Sequence, residues 1–152
     1  MNTGDIIEIS DSYFEDFQHL TEIMEADNRV YLGIILKMDK NNYFIPLRSR
    51  APKDSVYRKC IYSIPSSTRP DAGLDMRKAL IVNDSKYITV ISNPKIANRQ
   101  MKKINNDIST IENMFEIYVR GYKRAFSKGR IERELPFKYS TLKNYHVELG
   151  LE

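Results

Sequence analysis

An α+β fold is what this sequence predicts: a compact, strongly curved antiparallel β-sheet or partly open barrel, with an added N-terminal helix and long C-terminal helices. Three observations predict it. Short β-type runs joined by turn residues recur between Asp5 and Ile91, which favours antiparallel pairing over a parallel sheet interleaved with helices. The period then changes. Met101, Ile104, Ile108, Ile111, Phe115, Tyr118, Tyr122 and Phe126 follow three- and four-residue steps, the stripe of a long helix or a helix pair. Finally, 152 residues with 41% apolar and 29% charged content are enough for a single domain, residues 1–152, whose core needs neither metal nor disulfide.

In chain order, Asp5–Ile9 alternates like a short strand. Ser12 with Glu15 fits a capping box, and Phe14, Phe17, Leu20 and Met24 then predict an amphipathic helix to about Glu25, broken at Asp27-Asn28. Aromatics on such a helix are mostly core, so Phe14 and Phe17 are given no cofactor role, whereas Tyr13 lies off their stripe and its hydroxyl could face a neighbouring surface. Tyr31–Met38 and Tyr43–Leu47 flank the polar turn Asp39–Asn42, a strand–turn–strand unit. Gly33 inside the first of these strands marks a bulge or a close backbone approach. Cys60–Ile64 reads as another strand, with Cys60 a buried thiol rather than a nucleophile. Pro65–Gly73 is a surface loop, and Ala79–Val82 with Tyr87–Ile91 around Asn83-Asp84-Ser85 reads as a second hairpin. Asn93-Pro94 suits the start of the long helix and Ser127-Lys128-Gly129 its stop. Ser140 or Thr141 caps a last short helix bearing Leu142 and Tyr145, with His146 at its end.

Charge is distributed unevenly. Residues 1–28 hold eight Asp or Glu and no Lys or Arg, so all 24 basic side chains lie in the remainder, against 12 carboxylates. That balance suits a body that binds a polyanion, with an acidic segment that stays clear of the ligand or packs on the basic face. No apolar run approaches membrane-spanning length and Met1–Asp5 lacks a basic-then-apolar export pattern, which sets the expectation of a cytoplasmic location without a membrane partner.

Several chemistries find little support. Two histidines and one cysteine give no zinc-type ligand spacing, and no Walker-type, zinc-finger or KH signature occurs, so neither metal nor cofactor is expected. What remains is a site of hydroxyls and cations. The second strand of the central hairpin runs straight into Arg48, Ser49, Arg50 and Lys53, with Pro52 restricting the chain, and residues at the end of a scaffold strand can be held in place. RNA suits such a site because its own 2′-OH can attack the adjacent phosphate. The protein then needs to align the reacting atoms, remove the 2′ proton, neutralise the phosphorane and protonate the 5′ oxygen. Ser67, Thr68 and Arg69 could donate to phosphate from the proline-bounded loop.

The run YLGIILKMDKNNYFIPLRSRAPK resembles the matching stretch of the ToxN/AbiQ endoribonucleases, toxins of type III toxin–antitoxin systems, with similarity also to their CptN branch. The pattern is an aromatic–apolar–Gly strand (Tyr31-Leu32-Gly33-Ile34-Ile35-Leu36), a polar turn, a strand ending in Pro46-Leu47, then Ser49 and Pro52-Lys53. Ile9–Tyr13 and Asn98–Gly129 are similar to the family's N-terminal strand–helix start and long helical region. The resemblance implies an SH3-like sheet related to the MazF/Kid toxins and metal-independent RNA cleavage to 2′,3′-cyclic phosphate and 5′-OH ends. It implies catalytic roles for Tyr13, Ser49 and Lys53, with Arg29 at the family's basic position before the glycine. The family Thr-Ser pair is Arg48-Ser49 here, and Arg50-Ala51 stand as an insertion before Pro52-Lys53, so the general base stays open. A lysine ammonium stabilises charge or donates a proton rather than accepting one.

A phosphate-tracking surface is expected to draw on Tyr31, Arg48, Arg50, Arg58, Lys59, Arg69, Lys102, Lys103, Arg120, Lys123, Arg124 and Arg130, as one continuous groove fed by residues 48–59, 95–103 and 120–133. The resemblance further implies a small pseudoknotted RNA antitoxin, cut from a repeated precursor and held in a closed alternating protein–RNA assembly, with cellular or phage RNA as substrate and DNA spared. Two other accounts compete. The same cations could clamp structured RNA without catalysis, or the long helix could read DNA, although no helix-turn-helix pair supports the latter.

Overall fold

The computed structural model describes residues 1–24 and 31–151; Arg29 and the break expected at Asp27-Asn28 lie outside the described residues. Among those described, seven strands form an antiparallel sheet: β1 (Ile6–Ile9), β2 (Tyr31–Met38), β3 (Asn41–Arg48), β4 (Ile61–Ser63), β5 (Gly73–Asp75), β6 (Leu80–Ile81) and β7 (Ile88–Val90). Their order is β4-β5-β3-β2-β1-β7, with β6 also on β3, and the sheet does not close. Three helices accompany it: α1 (Asp11–Asp16), α2 (Asn98–Ser127) and α3 (Leu135–Lys138). The α+β class, the open antiparallel sheet and the long helix follow the sequence expectation.

β2 and β3 pair from Gly33↔Pro46 to Met38↔Asn41 around a two-residue turn, in which Asp39 takes φ +57°. Their apolar residues run on without clean alternation because both faces of this hairpin are covered. Tyr43 points to the helix side and meets Phe115 of α2 edge-on at 5.0 Å. Phe44, its neighbour, points the other way to Tyr31, which in turn touches Phe14.

Gly33 is a place where no side chain fits. A Cβ there would sit 2.1 Å from the Ile45 carbonyl oxygen and 2.8 Å from Phe44. The close backbone approach read from the sequence is therefore what the strand pair requires.

α2 is one unbroken helix rather than a pair. Its start lies at Ala97, later than Asn93-Pro94: Gln100 accepts from the Ala97 N–H (3.1 Å) and donates to the Ile64 carbonyl (2.8 Å), capping the helix and tying it to the chain after β4. At the far end Gly129 adopts φ +63°, and the Arg130 N–H reaches back to the Ala125 carbonyl. The expected last helix is a 3₁₀ turn, Thr141–Tyr145, with the Ser140 hydroxyl accepting from the Leu142 N–H.

Two expectations fail. The first helix ends at Asp16 instead of about Glu25, and its N-cap is Ser10 rather than Ser12. Six residues cannot hold a helix by propensity; Tyr13 is drawn into the core and the chain turns at Phe17, so that Leu20, Ile23 and Met24 pack on the core in irregular backbone. The second hairpin does not exist. β6 pairs with β3 (Tyr43↔Ile81) while β7 pairs with β1 (Ile9↔Ile88), because a 3₁₀ turn at Ser85–Tyr87, capped by Asp84, carries the chain from one part of the sheet to the other. Among the described residues no helix is long and apolar enough to cross a membrane.

Gly33→Ala is expected to lower unfolding free energy by at least about 3 kcal/mol in urea titrations, since backbone must move to admit the methyl. Gly129→Ala, with nothing within 4 Å but a left-handed φ, should lose only about 1 kcal/mol.

Candidate functional site

β3 hands the chain to the loop the sequence singled out. Arg48 closes the strand opposite Gly73, Ser49 and Arg50 form a bend, and Ala51 turns inward. Ala51 is buried against Gly73, and its N–H bonds to the Asp71 carbonyl (2.9 Å). The apparent insertion Arg50-Ala51 thus supplies the anchor that lays this loop along residues 69–73. Lys53 reaches the Asp71 carboxylate at 2.5 Å.

An open recess of about 360 Å³ lies between the two loops, lined by Lys53, Ser55, Arg58, Ser63 and Asp71 among others. Two expected site residues, Lys53 and Arg58, meet here. Ser49 is half-buried beside the strand end and is not part of the lining. Ser55, Ser63 and Asp71 were not singled out as a site, because nothing in local spacing tells that Asp71 returns to Lys53 across 18 residues of chain. Asp54 also lines the recess, so its carboxylates equal its cations in number.

The ion network behind the strand end is tighter. Asp75 is fully buried and accepts from Arg48 (2.8 Å), from Arg77 Nε (3.1 Å) and NH2 (2.9 Å), and from the Arg77 backbone N–H (3.1 Å). The Arg77 guanidinium lies 4.1 Å from the Tyr57 ring centroid. Arg48 is accordingly held by a buried carboxylate rather than extended toward a ligand. Cys60 sits beside this cluster, its thiol donating to the Tyr57 carbonyl, and burial pushes its pKa up to about 12. It is a packed thiol, as the sequence indicated.

Tyr13 does not face a surface near the recess. It is 2% exposed, donates to the Ile81 carbonyl (3.0 Å) and shares a 2.7 Å bond with the Tyr145 hydroxyl; burial raises its pKa to about 12. Tyr31 is likewise buried, between Phe14 and Phe44, and burial raises its pKa too. Both rings are packed in the core, Tyr13 from α1 and Tyr31 from β2.

The basic residues do not converge into one groove. Ile61 and Ser63 of β4 line the recess, whereas Tyr62 between them points to α2, where its hydroxyl donates to Asp107 (2.6 Å) and Lys103 pairs with the same carboxylate (3.5 Å). Lys102 and Lys103 therefore stand on the other face of β4 from Lys53 and Arg58. Lys123 is 21 residues further along the helix, roughly 30 Å away at about 1.5 Å per residue. Arg120 and Arg124 are exposed beside it, and Arg130 pairs with Glu134 (3.3 Å). α3 packs on the 3₁₀ turn Ser55–Tyr57, which brings the chain around Lys138 close to the recess instead. Arg50, Lys59 and Arg69 are exposed on the recess side loops. Among the described residues, no group of three or more His, Cys, Asp or Glu stands close enough to hold a metal ion.

No family model matches the chain, and no curated protein sequence does either.

Asp75→Asn is expected to lower stability by about 3–5 kcal/mol, read by denaturant unfolding, because two guanidiniums lose the buried charge that balances them. A second expectation concerns alkaline pH. Burial raises Tyr13 and Tyr122 from about 10 to about 12 in the fold. The folded state holds these protons more tightly than the unfolded chain, so this stability is intact below pH of about 10 and is lost as pH climbs toward about 12. Tyrosine ionisation followed at 295 nm should show late-titrating phenols that coincide with loss of structure; titration of all ten tyrosines as one class below pH of about 11 would contradict it.

Proposed function

We propose that this chain is a metal-independent endoribonuclease toxin of the ToxN/AbiQ kind, with an SH3-like sheet of the MazF/Kid type. The observation that carries the reading is the strand-end loop. β3 delivers Arg48 and Ser49 to a loop pinned along residues 69–73, and Lys53, Arg58, two serine hydroxyls and Asp71 surround one open recess. These are the group types that cyclising cleavage of RNA uses.

The substrate contributes the nucleophile. Its 2′-OH attacks the adjacent phosphorus as the 5′ oxygen departs, leaving a cyclic phosphate and a 5′-hydroxyl. Lys53 and Arg58 neutralise the non-bridging oxygens, and Lys53 is placed to protonate the leaving oxygen once phosphate draws it from Asp71. The Asp71 carboxylate is then free to accept the 2′ proton, and Ser49, which stands outside the lining, positions the scissile phosphate only by turning in from the strand end. Arg58, Lys59, Arg69 and Arg50 hold the flanking backbone; the separate cations on α2, Lys102 and Lys103 at one end and Arg120, Lys123 and Arg124 at the other, bind distant parts of a structured RNA. A folded RNA antitoxin bridging copies in a closed cytoplasmic assembly would use both sets.

Three observations favour a second reading, a non-catalytic module for structured RNA. Lys53 is already paired with Asp71, Ser49 does not line the recess, and the lining charges balance. Such a site could grip backbone without promoting its cleavage.

Incubation with RNA, matched DNA and EDTA separates the readings. Cut RNA with cyclic-phosphate ends, intact DNA and undiminished activity on chelation are expected; EDTA-sensitive cleavage would reject the mechanism, and tight RNA binding without product would establish the clamp. Ser49→Ala and Lys53→Ala should each slow cleavage on the order of a hundredfold or more while leaving the melting temperature nearly unchanged.

A further inference from the structure

A second cavity has the opposite character. It measures about 290 Å³, shares no residue with the recess, and lies where α1, the Ser85–Tyr87 turn and the Thr141–Tyr145 turn meet. Its walls are aromatic. Tyr13, Phe17 and Tyr87 contact one another at centroid distances of 4.9, 5.3 and 5.8 Å, the two contacts of Tyr87 being edge-on.

Apart from the His19 ring, which also lines it, its polar groups accept hydrogen bonds more than they donate them. The Tyr13 and Tyr145 hydroxyls bond to each other and to the Ile81 carbonyl. Whichever phenol donates to the carbonyl, the other donates to its partner, so both protons are engaged and lone pairs are what the pair can offer a ligand. Both amide protons of Asn144 go to the Thr21 and Thr141 carbonyls. The carboxylates lining the cavity are Asp84 and Glu148; no lysine or arginine lines it, although Lys86 pairs with Asp84 at the rim. The Tyr87 hydroxyl donates to Asp16 (2.6 Å), which adds negative charge behind that ring.

In a chain whose residues 29–152 hold 24 basic side chains against 12 acidic ones, this concave, acidic, ring-walled spot selects against phosphate and for a cation bearing N–H groups. The chain itself supplies an example at the rim. The Lys86 ammonium rests 4.9 Å from the Tyr87 centroid and 3.8 Å from Asp84. The cavity's volume of about 290 Å³ is close to the lower end, about 300 Å³, of small-molecule pockets.

From these features we infer that the cavity is a binding site for a small alkylammonium ligand, its charged nitrogen set between the Glu148 and Asp84 carboxylates and its alkyl portion against Tyr13, Phe17 and Tyr87. The inference is independent of the ribonuclease reading: it concerns a different surface and a ligand of opposite charge.

Butane-1,4-diamine titrated into the nucleic-acid-free full chain provides the test, with tyrosine ring resonances followed by NMR and heat followed by calorimetry. Saturable binding that shifts Tyr13, Tyr87 and Tyr145 is expected, with no binding of the uncharged butane-1,4-diol. The double variant Asp84→Asn, Glu148→Gln changes exposed side chains and should melt like the parent while binding the diamine at least about tenfold more weakly, a difference of about 1.4 kcal/mol. Absence of saturation, equal binding of the diol, or undiminished affinity in the double variant would each overturn the assignment.

Discussion

The fully buried Asp75 carboxylate ties the end of the central hairpin to its neighbours. It holds Arg48 at the last residue of β3, Arg77 on the following 3₁₀ turn, and through Arg77 the ring of Tyr57. An uncompensated charge at this depth would be strongly destabilising, so strand, turn and aromatic must keep their places together. The loop leaving β3 inherits that rigidity. Its position is set at one end by Arg48 and further along by Ala51 and Lys53 on the opposite loop, so the recess between them is framed by fixed backbone. In the proposed reaction such fixed framing is what converts ordinary serines and lysines into aligned groups.

Much of the scaffold was legible in the sequence because it follows from short-range rules. The β2–β3 hairpin, the position of its turn, the meaning of Gly33, the single long stripe of α2 and the buried Cys60 all rest on local periodicity or on one residue's steric limits. The misreadings share a cause. A helix through Phe17, Leu20 and Met24 and a hairpin across Asn83–Ser85 were locally consistent, but tertiary partners decided otherwise: Tyr13 enters the core, β6 finds β3, and β7 finds β1. Propensity proposes a segment's state; the free edges of the sheet determine whether it is realised.

The candidate site was legible only in part for the same reason. Lys53 could be named because it follows a strand end within a few residues, and Arg58 because it continues the same basic stretch. Asp71, Ser55 and Ser63 could not, since their meeting depends on two loops lying side by side. Counting cations also misled: Arg48 and Arg130 are engaged by carboxylates, and the helix cations sit on another face of β4 or a helix length away. A net basic balance described the chain correctly but did not locate a groove. The same counting hid the acidic cavity, where Asp84 and Glu148 are 64 positions apart and the aromatic walls come from three separate turns of chain.

An open sheet leaves outer strands: among the described residues β4, β6 and β7 each pair with a single strand and carry backbone groups that no further strand satisfies. β4 and β7 are three residues long and β6 two, and each has a bend or 3₁₀ turn close by on one side. A run that short offers too few N–H and C=O groups to template the addition of another chain. The fold can therefore keep an open sheet with unpaired strand edges and still resist growing into fibrils.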